Sequence, residues 1–334
     1  MDKLERVQAA LAGARVDRPP YSFWTHFPGI DLDPIRLAES TVRFAARHDL
    51  DFIKTMPNGM YCVEDWGVVC DYSDIASGGV ARIVKPAIAR AEDWDRLAVL
   101  DVHRGALGRE LDHLQRVLAA AGPSIPVLAT AFSPMTVASK LSNNLHRAHA
   151  AEHAQALTRG LETITQVTCA FAREAIGLGC AGVFFAAQDA AYGVMDEGIY
   201  RALGEGPDRR VLEAAKLAGG WFNVVHMHGE DVMFDLLASY DVNAVNWHIG
   251  ETPPSISEYR RRGGDKPIVG GMQRSNITRR DLAAVRADIE LALHETDGRG
   301  LLLAPACVIR HPVDDAILDA AIGIIKREGT PSHR

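Results

Sequence analysis

Two histidines one residue apart, His226 and His228, close an apolar run that begins Phe222-Asn-Val-Val. Phe222, Val224 and Val225 read as a short buried strand. Side chains at i and i+2 of a strand point to the same side, about 6.6 Å apart along it. Two imidazoles so placed at a strand's end can grip one metal ion; the plainer reading is two solvent-facing loop histidines. Cys307, fixed between Ala306 and Val308 after another apolar run, is on the ordinary reading a small buried hydrophobe. As a thiolate beside two neutral imidazoles it would complete a site of two nitrogens and one sulfur. Zn2+ accepts that mixture, and three protein ligands leave a fourth position open. An open position binds a water, a thiol or a substrate carboxylate, and the metal lowers the pKa of a bound water or thiol. Fe2+ and Co2+ suit the same donors.

Those residues are far apart in the chain, so the elements between them must bring them together. Short apolar runs alternate with helical patterns. The runs are Tyr21–Trp24, Asp51–Thr55, Pro126–Thr130, Gly182–Phe185, the run at Phe222, Asn243–Trp247, Pro267–Gly270 and Gly300–Leu303. Each is continuous and mostly apolar, as in strands covered on both faces. Helical patterns fill most of the gaps: from Pro34, from Trp94 to about Ala121, from Thr136 to Leu178 with a break near Asn143-Asn144, on to Ala218 with an interruption near Gly204–Pro207, Arg279–His294 and Val313–Lys326. Eight strand–helix units predict an α/β fold, a (β/α)8 TIM barrel, formed as one domain over 1–334. Residues 60–92 break the pattern. Tyr61, Trp66, the Gly78-Gly79 turn and the β-rich Ala81–Val84 predict a small β-rich excursion after the second strand. An open doubly wound sheet is the rival, but no G-x-G-x-x-G follows the first strand and there is no P-loop.

Composition narrows the function classes. The chain is 47% hydrophobic and 24% charged with a formal net charge of -7, which fits a globular enzyme or binding protein and argues against a nucleic-acid surface. No apolar run is long enough to span a membrane. The N-terminus reads as a polar helix start without a signal-peptide core. Five scattered cysteines with no C-x-x-C argue for reduced thiols, so a cytoplasmic protein is expected.

In such a barrel the active site lies at the C-terminal ends of the strands. The residues just past each run are His26, Asn58, Ser133, Gln188 and Asp189, His226 and His228, His248, Gln273, and Cys307 with His311. His248 and Asp189 are candidates for a fourth ligand, a general base or an orienting partner. His26, Asn58, Gln188 and Gln273 are candidates for substrate contact. Tyr61 either joins them or belongs to a small satellite core. The histidines in helical regions, His48, His103, His113, His146, His149, His153 and His294, read as exposed or boundary residues, and His333 falls in the C-terminal tail.

The chain resembles the uroporphyrinogen decarboxylase superfamily, which includes cobamide-dependent methyltransferases and is related to cobalamin-independent methionine synthase. The resemblance rests on Arg18-Pro19-Pro20, Phe132-Ser-Pro-Met-Thr-Val-Ala-Ser139, Gly179-Cys-Ala-Gly-Val-Phe-Phe185, Val224-Val-His-Met-His-Gly229, Asn243-Ala-Val-Asn-Trp247, Val269-Gly-Gly-Met272 and Leu301–Cys307. It implies the same barrel, and commonly a homodimer. Two departures separate this sequence from true uroporphyrinogen decarboxylases. Their Arg-Gln-Ala-Gly-Arg-Tyr motif after the first strand is here Trp24-Thr-His-Phe-Pro-Gly29, without an arginine for substrate carboxylates. Their Phe-Ser-Asp-Ile motif is here Ile53-Lys-Thr-Met-Pro-Asn58, without the aspartate that meets the pyrrole nitrogens. The methyltransferase branch binds zinc through a His-x-Cys after the fifth strand and a Cys after the eighth. His226, His228 and Cys307 fall at those places, so the resemblance implies a zinc-type metal there, with one thiolate rather than two. The expectation is alkyl or methyl transfer to or from a small thiol or oxygen substrate, with a corrinoid protein as partner. The alternatives are a metal-assisted lyase or decarboxylase of a small aromatic or heterocyclic acid, and a non-catalytic metabolite or metal binder with a closed four-ligand site.

Overall fold

A computed structural model of the protein describes residues 1–74 and 81–329. Its strands in chain order are β1 (Ile53–Lys54), β2 (Val69–Asp71), β3 (Arg82–Lys85), β4 (Val127–Phe132), β5 (Gly182–Ala187), β6 (Val224–Met227), β7 (Ala244–Trp247), β8 (Ile268–Met272) and β9 (Leu301–Pro305). Seven of them form one parallel sheet in the order β1-β4-β5-β6-β7-β8-β9. Apart from the step over β2 and β3, each neighbour is the next in sequence, as right-handed crossovers through helices produce.

The first expected strand, Tyr21–Trp24, takes the place between the two edges of this sheet. Ser22 N–H donates to the Leu303 carbonyl at 3.0 Å, and Asp51 N–H donates to the Tyr21 carbonyl at 3.0 Å. The segment makes single bridges, Tyr21 with Leu303 and Thr25 with Ile309, and Pro19 and Pro20 just before it bring no N–H that could extend them into a ladder. Asp51 anchors it instead. This fully buried carboxylate accepts Arg6 Nη1 at 2.8 Å, Arg18 Nη1 at 2.6 Å and the Tyr21 N–H at 2.9 Å. The sheet therefore curls until its two edges are bridged.

Strand alternation sorts the side chains into two layers. Trp24, Phe52, Met56, Leu128, Phe184, Phe222, Val224, Ala244, Val269, Leu302 and Ala304 pack together inside the curled sheet. The residues between them, such as Val183, Phe185, Val225 and Val245, face the helices in a larger outer core. Continuing the inward alternation past the last packed position brings His226 and His228 after Val224, and Asn246 and His248 after Ala244. Lys54 lies between Phe52 and Met56 on the same inward side. The period of two thus sets polar groups on top of an apolar plug.

Within 60–92 the regular sheet among the described residues is the antiparallel pair β2–β3. Tyr61–Glu64 is a helical turn and Ala91–Arg96 a 3-10 turn. The Gly78-Gly79 turn and His333 lie outside the described residues. The expected break near Asn143-Asn144 is present. Both asparagines take positive φ, 47° and 73°, between the helices Pro134–Leu141 and His146–Glu152, a conformation Asn tolerates better than most residues. The expected interruption near Gly204–Pro207 is not a break. The chain winds through a π-helical turn, Arg201–Glu205, into the helix Gly206–Leu217, with Pro207 in its first turn where no N–H is needed. No helix of the described residues is long and apolar enough to cross a membrane.

Candidate metal centre

His226 is the inward residue near the end of β6, His228 follows at the start of the next loop, and Cys307 comes two residues after β9. The fold brings all three together. His226 Nε2 lies 3.4 Å from His228 Nδ1, and Cys307 Sγ lies 3.7 Å and 3.6 Å from those two nitrogens. Zinc–nitrogen bonds of about 2.0–2.1 Å and zinc–sulfur bonds of about 2.3 Å give tetrahedral edges of about 3.3 Å for N–N and about 3.6 Å for N–S. The observed triangle has those edges, so the residues present fit a metal ion of this class. His248 joins them: one donor atom from each of His226, His228, His248 and Cys307 lies within 4.8 Å of the others.

A ligand must present a lone pair, and Asn246 decides which nitrogen of His226 does so. Asn246 Nδ2 donates to the Val269 carbonyl at 2.5 Å, which fixes the amide's orientation. Its Oδ1 therefore accepts a short hydrogen bond from His226 Nδ1–H. The proton is held on Nδ1, and Nε2 faces the cluster with its lone pair free. An outer partner of this kind orients a metal-binding imidazole and raises its basicity.

The electrostatics agree. Burial first, then the neighbouring imidazoles, hold His226 well below the ordinary histidine range. Burial, then His248 and Arg274, bring His228 to about 4, and burial, then Arg274, brings His248 to about 4. Each imidazole is neutral near pH 7, the ligating form. Burial raises the Cys307 thiol, with Arg274 and Lys54 pulling it back. A divalent cation is the kind of charge that would convert such a thiol to thiolate.

The other candidate residues divide. Asp189 is buried, and its Oδ1 lies 3.0 Å from His146 Nε2. His248 Nδ1 is 3.4 Å from Glu251 Oε2, and its Nε2 receives the Gly229 N–H at 3.5 Å. The Gln188 N–H donates to Thr136 Oγ1 at 2.9 Å. His26 is half-buried and brought to about 4, by burial first and then by Lys54 and Lys140. Asn58 is occupied locally: Oδ1 caps the Met60 N–H at 3.0 Å and Nδ2 donates to Asp31 at 3.1 Å. Tyr61 lies in the core, its hydroxyl donating to the Thr130 carbonyl at 2.7 Å and its ring packed on Phe132 and Phe171. Gln273 is tied to Asp288 through its N–H at 2.9 Å and its side chain at 3.1 Å, beside a cleft of about 320 Å3. His311 is exposed.

Four helix histidines depart from the expectation of exposure. His48, His113, His146 and His149 are buried. They face inward from their helices, and three meet a carboxylate: His48 with Asp315, His113 with Glu110, and His146 with Asp189. His149 Nδ1 accepts the Trp94 indole N–H at 3.0 Å. Glu110 lies one helical turn before His113, a spacing legible in the sequence, whereas Asp315 and Asp189 are distant in the chain and gave no local signal of their pairs. Asn246 and Lys54 are the site residues that end-of-strand reading passes over. Both sit within strands rather than after them, and inward alternation is the signal that finds them.

The uroporphyrinogen decarboxylase family model matches residues 2–327. The chain belongs to the uroporphyrinogen decarboxylase family. Among solved structures, a methyltransferase from Methanosarcina mazei is similar over 98% of this chain and 99% of its own, at 17% identity and a TM-score of 0.83. A B12-independent methionine synthase from a Shewanella species covers 94% and 95% at 12% identity and a TM-score of 0.54. A putative vitamin-B12 independent methionine synthase from Listeria monocytogenes covers 88% and 86% at 14% identity and a TM-score of 0.51. At these identities the likeness is one of fold. No curated protein matches the sequence.

Proposed function

We propose that this family member is a metal-dependent enzyme that transfers an alkyl group, most simply methyl, to or from a small thiol or oxygen substrate. His226, His228 and Cys307 would hold a zinc-type ion. The reading is supported above all by the donor triangle, whose edges of 3.4, 3.6 and 3.7 Å match a single tetrahedral ion without rearrangement. The M. mazei protein, a methyltransferase of the same fold, supports the reaction class. When bound, the metal would lower the pKa of a substrate thiol or hydroxyl held at its open position.

The chain's own residues supply the rest. His226 is held in one tautomer by Asn246. His248 receives the substrate's proton, with Glu251 beside Nδ1 to steady the imidazolium, or Asp189 does so with His146 behind it. The new bond to the methyl carbon forms as the bond from that carbon to its donor breaks, and the electron pair leaves with the donor. A corrinoid partner protein is the donor class the reading implies, acting on a homodimeric enzyme.

The presence of His248 within the same 4.8 Å cluster favours one rival specifically. As a fourth ligand it would close the site and make the protein a metal binder. The test is metal analysis of protein purified without added metal, followed by titration of the Co2+-loaded protein with an exogenous thiol. The expected results are about one ion per chain, loss of that ion in His228→Ala, and a thiol-to-cobalt absorption band that shows an open position. Metal far below one ion per chain and unchanged by His228→Ala ends the reading. Bound cobalt that takes no thiol makes the site a closed binder.

A further inference from the structure

Lys54 is a lysine in the wrong solvent. It lies on the inward side of β1 with 8% of its surface exposed, on top of the apolar plug. Its ammonium donates to the Met56 sulfur at 2.7 Å and sits 4.9 Å from the centre of the Phe184 ring. A thioether is a weak acceptor, and no carboxylate of the described residues reaches Lys54 within ion-pairing distance. Of the acidic groups that act on it, the Cys307 thiol comes first and Glu110 second, and Glu110 faces His113 at 3.1 Å. Buried cations are ordinarily paired. The Phe184 ring that carries Lys54 is itself 5.2 Å from the His226 ring, so the unpaired charge stands one aromatic ring from the metal centre. Lys140 lies over Phe132 at 4.8 Å, also without a carboxylate partner among the described residues, and both lysines act on His26.

We propose that Lys54, with Lys140 at its rim, is the subsite for a carboxylate on the substrate whose thiol or hydroxyl meets the metal centre. The inference rests on the reading of that centre given above, and it names the substrate class: a small acid bearing a thiol or hydroxyl. The geometry carries it, since an inward, buried ammonium without an anion is a binding group awaiting its partner. Its depressed pKa, about 7 through burial, is consistent, because a bound carboxylate would restore the charged form. Phe184 then supplies the apolar wall for the carbons between the substrate's two polar ends.

Two titrations test this on the full-length protein, comparing wild type with Lys54→Met, which keeps the length and removes the charge. In the first, Co2+-loaded protein is titrated with 3-mercaptopropionate and with uncharged 2-mercaptoethanol, read by the thiol-to-cobalt absorption band. Wild type should bind the acid at least tenfold more tightly, and Lys54→Met should bind the two alike. In the second, metal-free protein is heated with and without propionate. The melting temperature of wild type should rise with propionate and that of Lys54→Met should not. A preference for the acid that survives Lys54→Met overturns the subsite. So does a loss of cobalt affinity in Lys54→Met with the acid preference intact, which would make Lys54 a counter-charge for Cys307. If no cobalt binds but propionate still protects wild type alone, the carboxylate subsite stands and the metal reading falls.

Discussion

Replacing Asn246 isolates the step between fold and metal chemistry. Asn246 touches no metal in this arrangement; it holds His226 Nδ1–H through Oδ1 and the Val269 carbonyl through Nδ2. Asn246→Leu keeps the bulk and removes both bonds, freeing His226 to rotate or change tautomer. Loss of such an outer partner lowers metal affinity by about 10–100-fold, or about 1.4–2.7 kcal/mol. Each buried polar group left unpaired also costs about 1–3 kcal/mol of stability. Asn246→Asp separates the two effects. It still accepts from His226 but cannot donate to Val269, so it shares the loss of stability and keeps the metal. Zinc affinity measured by chelator competition, beside urea denaturation of the metal-free proteins, reads both quantities. Equal zinc affinity in Asn246→Leu and wild type would refute the claim that this amide sets the ligating nitrogen. Equal losses of affinity in the Leu and Asp variants would show that general loosening, not ring orientation, is responsible.

Two further predictions concern the frame around the site. Asp208 is fully buried, accepts Tyr200 at 2.7 Å and Tyr240 at 3.0 Å through Oδ2 only, and is raised by burial to about 7. A carboxyl whose folded pKa lies above its unfolded value adds stability when protonated. That stability is whole below about pH 4 and lost as pH rises through about 7, by up to about 4 kcal/mol. Asp208→Asn should flatten this part of the stability profile in denaturation at pH 5 and pH 8, whereas parallel profiles for the two proteins would contradict the assignment. Gly182 opens β5 where an added Cβ would lie 2.1 Å from the Phe222 carbonyl oxygen. Gly182→Ala should therefore force β5 and β6 apart and cost more than about 2 kcal/mol, as overpacking does, and an unchanged melting temperature would mean that the register seen here is not tightly held.

The sequence by itself determined the parallel α/β class and seven of the eight expected strands, with Tyr21–Trp24 making isolated bridges instead of a ladder, because these follow from local periodicity. A continuous apolar run reads as a strand covered on both faces wherever it sits, and His226 and His228 share a side because a strand repeats every two residues. It also carried the family resemblance that singled out Cys307. The convergence of Cys307 on the two imidazoles, 79 and 81 residues earlier in the chain, was decided only when the sheet curled and set β9 across from β6. The same holds for the partners of His48, His146 and His149 and for Asn246 behind His226, which are side-chain contacts between distant segments with no local pattern. Tyr61 and Asn58 follow the rule in reverse. Their polar atoms looked available, but the tertiary fold gave the Tyr61 hydroxyl to the Thr130 carbonyl and Asn58 Nδ2 to Asp31, while Asn58 Oδ1 closes a local turn on the Met60 N–H. Lys54 shows the limit most clearly. A lysine in an apolar run reads as an interruption until the curled sheet leaves it inside, buried and with no carboxylate of the described residues in ion-pairing reach.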